Sequence, residues 1–213
     1  MKFQENITTE KLKVVVSVGD ESGVGPEVIL KALHSNEIPN EIDILIVGSK
    51  KILENTYIQL KSLGIKNIVD PNNLQIHDLT IPSQSNKSKL SYGDASYHYL
   101  KKAIELVKKY PFSALVTGPI CKKSWSLAGH EFSGQTEVLA DSCGVKNVGM
   151  LFTAKSPITG WRFNTLLATT HIALCEVPKQ LTYNLIHLKL DLLAKFCTNY
   201  EKSPTIKVAG LNP

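Results

Sequence analysis

A chain of 213 residues, 43% apolar and 20% charged, can bury roughly 70% of its unfolded surface, enough for one sizeable core or two modest lobes. Its net charge of +5 comes from scattered pairs such as Lys50 and Lys51, Lys101 and Lys102, Lys108 and Lys109, and Lys122 and Lys123. That spacing reads as solvated faces and argues against a nucleic-acid partner, while suiting an anionic metabolite. No stretch reaches the ~20 apolar residues of a membrane span, and "MKFQENITTEKLK" lacks the apolar run of a signal peptide, so a cytoplasmic protein with no membrane partner is expected.

In chain order, "KLKVVVSVG" predicts a first strand over residues 13–18, β-branched and continuously apolar, as a strand buried on both faces should be. A glycine-rich turn follows, and "PEVILKAL" opens a helix with Pro26 in its first turn. "EIDILIVGS" is a second buried strand, and "KKILENTYIQLKSLG" a helix closed by Gly64. The polar "IPSQSNKSKLSYG" predicts a mobile loop, and "DASYHYLKKAIELVKKY" a helix with Asp94 as its cap. "FSALVTGP" is the next strand, ending at Gly118 and Pro119.

Further on, "TEVLADSCG" predicts a short helix ending at Gly144, and "VGMLFTA" and "NTLLATTH" two strands joined by a hairpin-like turn. "VPKQLTYNLIHLKLDLLAKFCTNY" reads as one long helix, striped by Leu181, Leu185, Leu188, Leu192 and Phe196. Ile186, Leu190 and Leu193 widen that face, which suggests burial on two sides, one of them at a subunit interface. "TIKVA" reads as a last buried strand and "GLNP" as the turn leaving it. Alternating strands and helices predict an α/β fold with a mostly parallel sheet flanked by helices, divided into lobes 1–128 and 129–213, with ligands at the carboxyl ends of the strands. Cys121, Cys143, Cys175 and Cys197 form no CxxC pair and are expected to be buried thiols of a reducing compartment.

Three segments behind predicted strands can carry chemistry. In "GDESGVGPE" the glycines permit tight turns and the next helix offers free N–H groups to an anion. The spacing is neither a dinucleotide fingerprint nor a P-loop, so a plain strand-to-helix turn stays open. In "VTGPICKKSWSLAGHEFSGQTEVLAD", Lys122 lies where a cation can meet a phosphate or carboxylate, and Gln135 and Thr136 open a helix with Thr136 as a plausible cap. Capping and a surface lysine explain the same residues without a ligand. His171, in "LLATTHIALCEVP", can bind a metal or shuttle a proton, or be structural. His130 is the nearest other candidate, and His34, His77, His98 and His187 are scattered. A catalytic metal needs about three protein ligands.

Taken together, "GDESGVGPEVILKAL", "LVTGPICKKSW", "AGHEFSGQTEVLA", "LLATTHIAL" and "VAGLNP" resemble, in order, the 4-hydroxythreonine-4-phosphate dehydrogenase family of vitamin B6 biosynthesis. The resemblance runs over residues 13–213. It implies a fold like the isocitrate and isopropylmalate dehydrogenases and a homodimer with sites built from both subunits. It also implies oxidation of 4-phosphooxy-L-threonine by NAD or NADP to a β-keto acid, which loses carbon dioxide to leave 3-amino-2-oxopropyl phosphate. A divalent metal (zinc, magnesium or cobalt) would lower the pKa of the alcohol and polarise the new carbonyl, and the nicotinamide would take the hydride.

By the match of "TTH", His171 resembles the first metal ligand. Gln135 and Thr136 resemble the substrate-binding pair of the family's G-H-T-E motif, and Lys122 the lysine of its G-P-I-N-K segment. Three residues depart from the pattern. Gln135 replaces a histidine and cannot become cationic, Cys121 replaces asparagine, and "DES" stands where D-P-A is usual. In the family, G-L-N-P precedes a second histidine ligand, and most of the cofactor site lies later. The resemblance therefore implies that the C-terminal part is missing and that these residues alone do not turn over. The alternative is a non-catalytic remnant or dimerising protein that binds a phosphorylated ligand.

Overall fold

The computed structural model describes residues 12–35, 37–79, 89–110, 114–199 and 203–212. It divides into two compact units, Met1–Ser142 and Cys143–Pro213. The division falls after the helix that the sequence reading put in the second lobe, because that helix buries Val138 with Leu100, Ile104 and Trp125 of the first unit.

In the first unit, β1 (Leu12–Ser17), α1 (Gly25–Ala32), β2 (Ile42–Gly48), α2 (Lys50–Ser62), β3 (Gln75–Asp78), α3 (Lys89–Lys109) and β4 (Ala114–Thr117) alternate. Their strands form one parallel sheet in the order β3-β2-β1-β4. Right-handed crossovers in that order put α1 and α2 on one face and α3 on the other. Val15, Val18, Leu30, Ile46, Leu53 and Tyr99 are fully enclosed in the resulting core. Burial of β1 rises along its length, from Leu12 at 44% exposed to Val15 at 1%, so burial on both faces holds for its carboxyl half.

Local chemistry sets most element ends. Pro26 opens α1, and Ser49 caps α2, its Oγ accepting from the Ile52 amide at 3.4 Å. Gly64, at φ +79°, ends α2 as expected. The segment before β4 departs from expectation. α3 begins at Lys89, so Asp94 lies inside it and is not its cap; the loop expected over 81–93 is helical from 89, and its residues 81–88 lie outside the described set. A short 3-10 turn over Pro71–Asn73 and the four-residue β3 have too little periodicity to stand out in the sequence, yet β3 pairs in register with β2.

The first unit continues with α4 (Lys122–Leu127), also not anticipated, and α5 (Gln135–Cys143). In the second unit, β5 (Leu151–Lys155) and β6 (Arg162–Leu166) form the expected antiparallel hairpin. The long helix expected next is broken into α6 (Val177–Gln180) and α7 (Tyr183–Cys197). Thr182 makes the break, because its Oγ1 accepts from the Leu185 amide at 3.2 Å and starts a new helix there. Within the single chain, Cys197 is the buried residue of α7. Residues 205–209 form no strand, since no ladder partner stands beside them among the described residues. All four cysteines are free, but Cys197 alone is buried; Cys121 is half-buried, and Cys143 and Cys175, at the end of α5 and in a short 3-10 turn, are exposed.

Candidate functional site

The order β3-β2-β1-β4 reverses direction between β1 and β4, and the carboxyl ends flanking such a reversal are where open parallel sheets leave a crevice. Both segments singled out after those strands open there. The chain leaving β1 turns at Gly19, φ +79°, where an added Cβ would stand 2.3 Å from the Pro119 carbonyl oxygen. Only glycine fits that approach. The Asp20 amide then donates to the Pro119 carbonyl at 2.8 Å, locking the two turns together. Asp20 is 6% exposed, and its Oδ1 accepts from the amide and hydroxyl of Ser22 at 2.9 and 2.7 Å. Tyr99, fully buried on α3, donates its hydroxyl to Glu21. The Asp20 and Glu21 carboxylates of the "DES" turn thus both accept internal hydrogen bonds.

Cations and amides come from the other side. Gln135, the first residue of α5, donates Nε2 to the Gly118 carbonyl at 2.7 Å, and its Oε1 accepts from the Thr117 hydroxyl at 2.7 Å. The start of α5 is thereby held to the end of β4. Thr136 is the second residue of α5 and exposed, so it is not the cap; its hydroxyl faces the surface at the positive end of the helix. Lys122 opens α4, and its exposed ammonium lies over Gly134: a Cβ there would be 3.7 Å from Lys122 Nζ and 3.4 Å from Glu137 Oε2. Gln135, Thr136 and Lys122 therefore meet at one corner, where an exposed cation, an exposed hydroxyl and a helix N-terminus can take a phosphate or carboxylate.

Cys121 precedes α4, its thiol held below the usual range by the Ser124 hydroxyl and then by backbone donors of the same turn. The sequence reading gave it no role beyond its departure from asparagine.

His171 belongs to the second unit. It is exposed and has φ +56°, the only non-glycine residue at positive φ among the described residues. Such a conformation is uncommon outside glycine, and histidine is among the side-chain-bearing residues that adopt it more readily. His171 is part of no group of three metal-ligating side chains among the described residues, so these residues supply one ligand at that position and do not by themselves make the expected metal site. The group that does exist is Asp94, His98 and His130. Asp94, expected as the cap of α3, lies inside it, and so stands one helical turn from His98, a pairing that the cap assignment hides.

Comparison with known proteins gives the family and the fold. A 4-hydroxythreonine-4-phosphate dehydrogenase of Nostoc sp. is 42% identical over 211 residues, covering 94% of this chain and 58% of its own length. One from Synechococcus sp. strain JA-3-3Ab is 41% identical over 208 residues, with 94% and 60% covered. The chain thus spans about three-fifths of the length of these curated relatives. A crystal structure of 4-hydroxythreonine-4-phosphate dehydrogenase from Klebsiella pneumoniae superposes with a TM-score of 0.79 at 24% identity, covering 95% of this chain and 64% of that one, and establishes the shared α/β fold. Among the described residues, no helix is long and apolar enough to cross a membrane. The family model described as pyridoxal phosphate biosynthetic protein PdxA matches residues 40–213, and the chain belongs to that family.

Proposed function

We propose that this chain carries the substrate-side part of a dehydrogenase that oxidises 4-phosphooxy-L-threonine with NAD or NADP in pyridoxal phosphate biosynthesis. The observation that carries the reading is the corner between β4 and α5. There Lys122, Thr136 and the amide ends of α5 offer cationic and neutral donors, and Gln135 holds them against the sheet. A phosphorylated amino acid presents a matching anionic group. Gln135 holds the first turn of α5 through one N–H and its carbonyl oxygen, and its second N–H can join Thr136 and Lys122 in reaching the ligand. The nicotinamide and a divalent metal (zinc, magnesium or cobalt) belong to the proposed reaction as the hydride acceptor and the polarising cation. His171 is the residue this chain would offer to the metal.

One ligand at His171 supports a second reading for the isolated polypeptide: it binds the phosphorylated substrate without redox turnover. The family reading also carries a cytoplasmic homodimer that binds neither nucleic acid nor membrane. Calorimetric titration of the 213-residue chain with 4-phosphooxy-L-threonine tests the site. NADH formation is measured beside it, with the Nostoc relative as reference. Binding that weakens about tenfold or more in Lys122→Ala, without NADH, is the expected result. Binding indifferent to both Lys122→Ala and Thr136→Val overturns the substrate corner. Turnover comparable to the reference overturns the reading of binding without chemistry.

A further inference from the structure

We propose that Asp94, His98 and His130 form a second, transition-metal site, one that takes a zinc-like divalent cation and shares no residue with Gln135, Thr136, Lys122 or His171. The ligand atoms come from two elements. Asp94 and His98 stand one turn apart on α3, and His130 lies in the chain after α4. His130 Nε2 is 2.9 Å from Asp94 Oδ1, and His98 Nε2 is 3.4 Å from the same oxygen. All three ligand atoms lie within 4.8 Å of one another. A tetrahedral zinc with bonds of about 2.0–2.2 Å sets its ligand atoms roughly 3.4 Å apart. The observed spacings therefore need only small side-chain adjustments to admit the ion.

The surroundings favour a fixed site over a chance meeting of surface groups. The backbone of His130 is held on both sides, its amide donating to the Trp125 carbonyl at 3.0 Å and its carbonyl accepting from Phe132 at 3.1 Å. Its ring stacks on Tyr97 with centroids 3.8 Å apart and planes 14° apart. Tyr97 packs edge-on against the buried Trp125. The His130 side chain is 18% exposed and Asp94 28%, while His98, at 48%, leaves the site open to entering ions. Two imidazoles and one carboxylate suit zinc, cobalt or nickel better than magnesium or calcium, which prefer all-oxygen shells. Three protein ligands leave a fourth position for water. The bound ion would cross-link α3 to the chain after α4 and stabilise the first unit by mass action.

The test titrates the chelator-stripped 213-residue chain with ZnCl2 by calorimetry and follows the unfolding midpoint, and repeats the titration with Co2+ to read its visible d–d absorption. The expected result is one ion at this cluster, a Zn2+-dependent rise in the midpoint and a four-coordinate Co2+ spectrum. Affinity should fall at least about tenfold in His98→Ala and in Asp94→Asn, with His171→Ala leaving this ion bound. His98 is half exposed, so His98→Ala retains the fold, and its unchanged circular dichroism checks that. No binding, binding unaffected by His98→Ala and Asp94→Asn, or binding lost only in His171→Ala overturns the proposal.

Discussion

The Gln135 side-chain amide donates to the Gly118 carbonyl at 2.7 Å, tying the first residue of α5 to the end of β4. Its oxygen also accepts from Thr117, so one neutral side chain bridges strand and helix. Losing a net hydrogen bond costs about 1 kcal/mol, and more when a part-buried partner is left unpaired. Gln135→Ala is expected to lower the unfolding free energy by about 1–2 kcal/mol. Urea unfolding, followed by Trp125 fluorescence in a Trp161→Phe background, measures it. A double-mutant cycle with Thr117→Val should show coupling of at least about 0.5 kcal/mol; strict additivity would mean that the bridge is not formed in solution.

Gly93 marks where α3 and α4 touch. A Cβ there would stand 2.1 Å from the Ser124 carbonyl oxygen and 2.4 Å from its carbon, both backbone atoms that cannot swing aside. Gly93→Ala should cost about 3 kcal/mol or more, at or beyond the upper end of ordinary overpacking. Beside it, the Trp125 indole donates to Ser96 Oγ at 2.7 Å in a fully buried pair. Ser96→Ala orphans that N–H and should cost about 1–3 kcal/mol. Denaturation midpoints of both variants within error of the parent would contradict this packing.

His171 holds a left-handed backbone, which costs a side-chain-bearing residue about 1–2 kcal/mol and glycine very little. His171→Gly is therefore expected to be more stable than His171→Ala by about 1 kcal/mol, opposite to their order in a helix. Thermal unfolding of the two variants decides it. Equal stability, or alanine above glycine, would mean that the positive φ is absent in solution.

Hydrogen bonding by Ser124 favours the charged form of Cys121, so its folded pKa lies below the unfolded one. The stability this contributes is present above the unfolded pKa and lost as pH falls through the folded value. The rate of Cys121 alkylation by iodoacetamide, followed by peptide mass spectrometry, should reach half its plateau below the ordinary thiol value of about 8.5. Ser124→Ala should move that midpoint upward. A midpoint at or above the ordinary value, or one indifferent to Ser124, would remove the assigned cause.

The sequence by itself determined the alternation of strands and helices, the hairpin and the helix ends at Gly64 and Gly144. Each of these rests on local periodicity or on a backbone conformation only glycine readily adopts. It also placed Lys122, Gln135, Thr136 and His171 in segments that follow strands. What it could not supply was pairing and partnership. β3 is only four residues and exists as a strand because β2 lies beside it, whereas residues 205–209, with better strand composition, have no described neighbour to pair with. Thr182 restarts a helix through one side-chain hydrogen bond that apolar periodicity does not register. Gln135 became a brace between β4 and α5 only when the fold brought Thr117 and Gly118 to it. Asp94 and His130 are 36 residues apart in sequence and 2.9 Å apart in space. Such contacts belong to the tertiary structure, because side-chain chemistry acts over a few ångströms and only folding sets those distances.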